Sequence, residues 1–477
     1  MATTAEQLYE ERLNRYVTAM RNEKPDKIPI RPFVAEFTAR YAGFTCQEVT
    51  HDFDKAFLAA RKCATDFDWD AVVANMVYVW TGLTEAIGLK YYGVPGIDVP
   101  ANTGFQYREP DEEHAFMRAD EYDELIEDPT AFLYRVWLPR VSSDISPPGT
   151  AVTYRNNLAL VKGGMAMLNY FNAFGPQCEK LKKECGTVPA IAGILKAPFD
   201  ILGDKLRGYM GLTMDMLTQP EKVLKACEAL MPHLFHIALA TSDSERQVPV
   251  GYWMHRGCVP FVAQGWFESH YWPTLRPIIE ELWKNGHQTL FYAEGDWSKH
   301  LQAFSELPER SIVYHVDKGD IGQVHRVIGE KFCLSGGIRN DILAFGTADD
   351  VRACCKRVID AAARDGGYIM DASAIMQNDT RVENLRAMTD FTREYGVYSS
   401  GSSSTAGPAG LHRSPDVQAL TGMPAQQGTL KAGQCIPWDA KRQERPGIIG
   451  DEALARRVWE EVDSFGHTFI WHCLVSF

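Results

Sequence analysis

The chain of 477 residues lacks most of the features that would announce a role. No run approaches eighteen apolar residues, so no membrane-spanning helix is expected. Positive charge is in deficit: 49 Lys and Arg stand against 62 Asp and Glu, a net charge of −13. No basic stripe is interleaved with aromatics, so a nucleic-acid backbone has no electrostatic footprint to bind. The eleven cysteines contain no C-x-x-C pair; Cys354 and Cys355 are adjacent and the rest are scattered, which reads as reduced thiols in a cytoplasm. The opening "MATTAEQLYEERLNRY" is acidic and amphipathic, without the basic and apolar regions of a secretory signal. Also missing are HExxH, GxSxG, a Walker A sequence and a GxGxxG turn after the first strand.

What is present is 45% hydrophobic residues, with aromatics making up 11% of the chain, which by composition alone means a large core. Eight short β-rich runs recur: 28–34, 71–79, 189–195, 248–254, 288–293, 311–315, 331–335 and 367–371. Amphipathic helices separate the later ones, with Pro220 marking a helix start and Gly286, Gly366 and Gly396 marking stops. Eight strands alternating with helices predict an α/β protein of the (β/α)8 barrel type over residues 1–398. Two stretches break the rhythm. Residues from about 88 to 188 form an insertion after strand two, expected as an excursion over the barrel mouth. The segment "SSGSSSTAGPAG" then opens a flexible linker and C-terminal extension over 399–477.

In such a barrel, chemistry sits where the strands end. Those ends offer Glu36 and Arg40 after strand one, Asn75 in strand two, His255 after four, Glu294 after five, His315 closing six, Cys333 within seven and Asp371 after eight. Strands five and six are neighbours, so Glu294 and His315 are placed to share one ion, with Cys333 as a third ligand if its sulfur points inward. Such an open site leaves a position for a substrate oxygen. Bland alternatives stay open: Glu294 capping the next helix, His315 as a satisfied strand-end group, Cys333 as a small core residue, Asp371 anchoring its loop. His255, in "WMHRGCVPF", is a proton shuttle, a metal ligand or a loop anchor.

The blocks "ERLNRYVTAMRNEKPDKIPIRPF", "FESHYWPTLRPIIEEL", "FYAEGDW" with "HVDKGDI", "FCLSGGI", and "DGGYIM" through "ENLRAMTDFTREYGVY" together resemble the uroporphyrinogen decarboxylase superfamily. They are most similar to its corrinoid-dependent methyltransferase branch, the first methyltransferase component of O-demethylase systems, over residues 8 to 398. The resemblance implies a (β/α)8 barrel and a zinc site. The branch spaces a Glu and a His by twenty residues, as Glu294 and His315 are spaced here. An earlier Glu of the pattern has only Glu280 as its match, one residue short in spacing and in a helix. With no DxHxxG segment, cobalamin is expected on a separate small corrinoid protein docked over the mouth.

The resemblance therefore implies methyl transfer between an aromatic or phenolic small molecule and cobalamin. The direction is either O-demethylation or methylation of a phenolic compound such as an estrogen. In this scheme Glu294, His315 and His255 carry the chemistry; Glu294, His315 and Cys333 hold zinc; Glu36, Arg40, Asn75 and Asp371 line the substrate. Two alternatives remain. One is a metal-free decarboxylase of an aromatic acid or tetrapyrrole relying on Arg31, Arg40 and Asp70, although Glu36 opposes the positive charge such a substrate needs. The other is a barrel that binds corrinoid proteins without turnover. The amphipathic C-terminal helix allows either a homodimer or a tail packed on its own barrel.

Overall fold

A computed structural model describes residues 4–73, 81–111, 113–398, 431–445 and 447–475. Six strands, Ile194–Lys196, Val250–Met254, Thr289–Asp296, Ile312–Lys318, Cys333–Gly336 and Tyr368–Ile369, form a parallel sheet in chain order. A second parallel pair joins Ala71–Val72 to Val188–Pro189. Backbone hydrogen bonds link the two sheets. On one side Ala192 N donates to Pro249 O; on the other Asp70 N donates to Ile30 O, and Arg31 N to Met370 O. The neighbour order thus runs through all eight expected segments and returns to the first, the arrangement of a (β/α)8 barrel. The first segment takes part through single parallel bridges at Ile30 and Val34 rather than an extended ladder.

The strands owe this to their two-residue period. Leu290, Tyr292, Val313, Cys333 and Ile369 point into the barrel, while Phe291, Ala293, Tyr314, Val316 and Leu334 pack outward under the helices. Both faces are apolar, as parallel strands covered on both sides require. The helix Ala5–Met20, started by a Thr4–Gln7 capping box, closes the bottom with Leu13, Tyr16, Val17 and Met20. Asp70 belongs to that end: it is fully buried, pairs with Arg15 and with Arg393 at 2.9 Å, and accepts from Ile30 N. Among the described residues one helix, Pro220–Ala240, is long and apolar enough to cross a membrane by length and composition. Here it packs in the outer layer of the barrel, burying Val223, Leu230, Leu234 and Ile237.

The insertion contains an antiparallel pair, Tyr92–Gly93 with Gln106–Tyr107, short helices between 122 and 141, and the long helix Tyr154–Lys180. Tyr92 and residues 102–107 are the parts of it that reach the mouth. The C-terminal helix Glu452–Val475 packs its C-terminal end onto its own chain: Trp471 Nε1 donates to Thr130 Oγ1 at 3.1 Å and Tyr134 OH to Gly466 O at 2.6 Å in the insertion, and His467 Nε2 lies 2.9 Å from His233 Nδ1 in the helix Pro220–Ala240. Before that end, Leu454, Val458, Val462 and Phe465 are exposed.

Candidate active site

At the C-terminal ends of the strands lies a cavity of about 550 Å3, walled by Trp253, Tyr92, Phe105 and Tyr107 and by Glu36, Lys196, Asp204, Lys205, His255 and Glu294. Its rim carries the amides Asn102, Gln106, Gln377 and Asn378. Aromatic walls with a few converging polar groups are what a small-molecule site requires.

Glu294 is aimed by a β-bulge. Ala293 faces Val316 and Asp296 faces Lys318, so Glu294 and Gly295 together oppose the single residue Asp317. Gly295 makes this turn at φ +94°, and a Cβ there would lie 2.5 Å from Cys258 Sγ, so no other residue fits. Its N–H donates to Asp317 Oδ2 at 2.8 Å. Glu294 Oε2 in turn accepts from Trp253 Nε1 at 2.6 Å. Trp253 stacks on Tyr292 at 4.1 Å and Tyr292 on His315 at 4.4 Å, a column of three rings that fixes the indole beneath the carboxylate.

The opposite wall is charged. Asp204 Oδ2 accepts from Lys196 Nζ at 2.8 Å, and Oδ1 from His255 Nε2 at 2.9 Å and Arg256 Nε at 2.7 Å. Burial alone would raise its pKa, but His255, Lys196 and Arg256 hold the carboxyl well below the usual range. Asp200 behind it accepts from Tyr271 OH at 2.7 Å and from Arg256 N at 2.6 Å, and burial pushes its pKa up. The Asp204 contact sets the His255 ring and assigns the proton to Nε2; its buried Nδ1 has no hydrogen-bond partner among the described residues. Glu36 opens a short helix, Glu36–Ala42, and closes under the insertion. Gly104 permits this approach, since a Cβ there would sit 1.8 Å from Glu36 Oε1. Burial raises the Glu36 pKa, and Oε2 has no partner among the described residues.

Of the residues expected from sequence, Glu36, His255 and Glu294 line the cavity. Asn75 lies outside the described residues. The others are used elsewhere. Arg40 donates to Thr380 O and lies against the Phe37 ring. Asp371 is fully buried below the cavity, accepting from Phe33 N at 3.1 Å and pairing with Arg31 at 3.4 Å.

The proposed zinc ligands do not converge. His315 pairs across the ladder with Tyr292, not Glu294, so it sits two residues deeper. Both its nitrogens are engaged, Nδ1 with Ser335 Oγ at 2.9 Å and Nε2 with Ser373 O at 2.8 Å. Burial and Arg31 push its pKa down to about 3. Cys333 pairs with Val313, two residues deeper again, and burial raises its thiol pKa. Two residues of strand span roughly 7 Å, whereas a shared zinc needs every donor within about 2.3 Å. No group of three His, Cys, Asp or Glu that could hold a metal occurs among the described residues. The donor set therefore does not fit zinc, and His315 and Cys333 are interior residues of the barrel.

Lys196, Asp204, Lys205 and Trp253 were not among the expected site residues. For Lys196 a signal was present: "AGILKAPFD" continues the third strand to it, one residue past where the apolar run at 189–195 stops. That one residue places a lysine at a strand tip.

The uroporphyrinogen decarboxylase (URO-D) family model matches residues 167–395, which hold Lys196, Asp204, Lys205, Trp253, His255 and Glu294; Glu36 and residues 102–107 lie outside it. No curated protein matches the sequence. Among solved structures, a methyltransferase from Methanosarcina mazei superposes with a TM-score of 0.50 at 13% identity, over 83% of this chain and 99% of that one. Over residues 167–395 the chain is thus similar to the uroporphyrinogen decarboxylase family, and it shares its fold with a solved methyltransferase.

Proposed function

We propose that the protein is an enzyme transferring a methyl group between an aromatic or phenolic small molecule and the cobalamin of a separate corrinoid protein. The observation that carries this is the cavity itself: four aromatic side chains with Glu294, His255 and Lys196 at the strand tips and Lys205 in the helical turn that follows. The likeness to a methyltransferase fold and to the uroporphyrinogen decarboxylase family supports it.

The chain's own residues bind and orient the substrate. Trp253, Tyr92, Phe105 and Tyr107 take the ring and exclude water from it, and Glu294, fixed by the Trp253 indole, sets the polar edge. His255, held by Asp204, moves a proton at the substrate oxygen. Asn102, Gln106, Gln377 and Asn378 at the rim would meet the partner's cobalamin, whose cobalt would supply the methyl-exchanging chemistry. Eleven free thiols suit a reducing cytoplasm. For self-association, the exposed residues Tyr154, Leu158, Val161, Met165 and Leu168 recur at alternating steps of four and three along one helix, a seam a second copy would cover.

The decarboxylase alternative loses its anchors: Arg31, Arg40 and Asp70 are committed to Asp371, Thr380 and Arg15, and none lines the cavity. The test is to mix the purified protein with a reduced or methylated corrinoid protein and a panel of methoxyarenes and phenols while following the cobalt absorbance. Exchange that requires the protein and is lost in Glu294→Gln and His255→Ala is expected. A flat spectrum in both directions across the panel would sink methyl transfer, and release of CO2 from an aromatic acid supplied in its place would favour decarboxylation.

A further inference from the structure

The pocket wall holds a lysine that the Asp204 cluster leaves out. Both oxygens of Asp204 are taken, one by Lys196 and the other by His255 and Arg256. Lys205, the next residue along, is 1% exposed, and its Nζ has no carboxylate within 4.0 Å among the described residues. Its hydrogen-bond partner is a phenol: Nζ lies 3.4 Å from the hydroxyl oxygen of Tyr92. The rings of Tyr91, Tyr92 and Tyr107 stand around it, with centroids at 4.2, 4.9 and 5.5 Å.

Two opposed forces act on this nitrogen. Burial and the adjacent Lys196 favour the neutral amine and lower the Lys205 pKa well below that of a free lysine, with Asp204 opposing. The three tyrosine faces favour the ammonium, since each lies within the range of a cation–π contact. A buried group tolerated in both protonation states can accept a proton and hold it. Lysine is the residue whose basicity burial tunes most readily for such work.

We propose that Lys205 and Tyr92 form a subsite for a phenolic hydroxyl, in which Lys205 Nζ takes the proton of the bound phenol and holds it as ammonium beside the phenolate. The O–H bond breaks, an N–H bond forms, the electron pair stays on the phenolic oxygen, and no other reactant is needed. When the oxygen carries a methyl group, no proton is present and the amine stays neutral. When that methyl leaves, the neutral amine takes one proton from water, stands as ammonium beside the phenolate, and gives that proton back as the phenol is released. This deepens the function proposed above by naming an ionisable phenol as the substrate class, and it gives the role expected of a metal, stabilising the phenolate, to a side chain.

The test uses 4-nitrophenol, whose phenolate absorbs visible light, bound to the full chain at pH values where the free phenol is largely protonated. Wild type is expected to bind it as phenolate with no net release of protons to the medium, measured by calorimetry in buffers of different ionisation enthalpy. Lys205→Met is expected to bind it as the neutral phenol. Lys205→Arg keeps a charge but cannot accept a proton, so it is expected to bind phenolate and release about one proton per site, and this comparison stands even if the Met variant does not fold. Phenolate binding that survives unchanged in Lys205→Met, or proton release by wild type equal to that of Lys205→Arg, overturns the proposal. Failure of wild type to bind the phenol overturns both the subsite and the substrate class. Lys205-dependent ionisation with no cobalt response would leave the subsite standing and sink methyl transfer alone.

Discussion

Two buried carboxylates, Asp204 in the pocket wall and Asp371 in the barrel interior, meet opposite fates. Each is almost inaccessible and each faces an arginine. Asp204 has three side-chain partners within 2.9 Å, the cations Lys196 and Arg256 together with His255, and is held well below the usual carboxylate range. Asp371 has one guanidinium at 3.4 Å and two backbone donors, too little to offset burial, and its pKa rises to about 7. Burial is common to both, so the count and closeness of the cations decide the charge. The pocket wall thus carries fixed charge, whereas the interior holds a proton near neutrality.

The comparison breaks most sharply at Asp204. Asp204→Asn leaves Lys196, His255 and Arg256 facing one another without a counter-charge, and should cost roughly 3–5 kcal/mol in denaturant unfolding. A loss below about 1 kcal/mol would mean that water already screens the cluster.

Asp371 sharpens it through pH. Its folded pKa, about 7, lies above the ordinary 3.8, so the folded state binds more protons between those values and stability falls as pH rises through that window. Asp371→Asn removes the titration. The stability of the variant relative to wild type should therefore climb by roughly 2–4 kcal/mol from pH 4 to pH 7 and then level off. Parallel pH profiles for the two proteins would show that Arg31 neutralises Asp371 after all.

A smaller effect is expected at Tyr271, which donates to Asp200 behind the pocket wall. Tyr271→Phe should destabilise by about 1–3 kcal/mol, with Lys196 and Arg256 still seated on Asp204. The smallest expected effect is none: dialysis against a chelator should leave the melting temperature unchanged, because His315 already spends both nitrogens on Ser335 and Ser373. A bound ion stabilises by mass action, so a clear fall in Tm on chelation would show that the interior rearranges to take one.

Much of the fold was legible because its signals are local. Pro220 opens its helix, and Gly286 and Gly366 adopt the left-handed backbone expected just past helix ends; Gly396, at φ −89°, ends its helix without it. The site was only partly legible. Glu36, His255 and Glu294 were found because strand ends face the mouth, yet the same rule gave Asp371, Arg40, His315 and Cys333, which the structure turns to interior or loop duties. A linear spacing such as that between Glu294 and His315 does not carry register, and here the ladder pairs His315 with Tyr292.

By itself, then, the sequence determined the alternation of strands and helices and the two apolar faces of each strand, because period, capping and turn chemistry act within a few residues. The tertiary structure alone decided which side chains share a layer. Register and the bulge at Gly295 arise only when strands pair, and Asp204 acquires His255 and Arg256, and Lys205 its cage of tyrosines, only when segments distant in the chain are packed together.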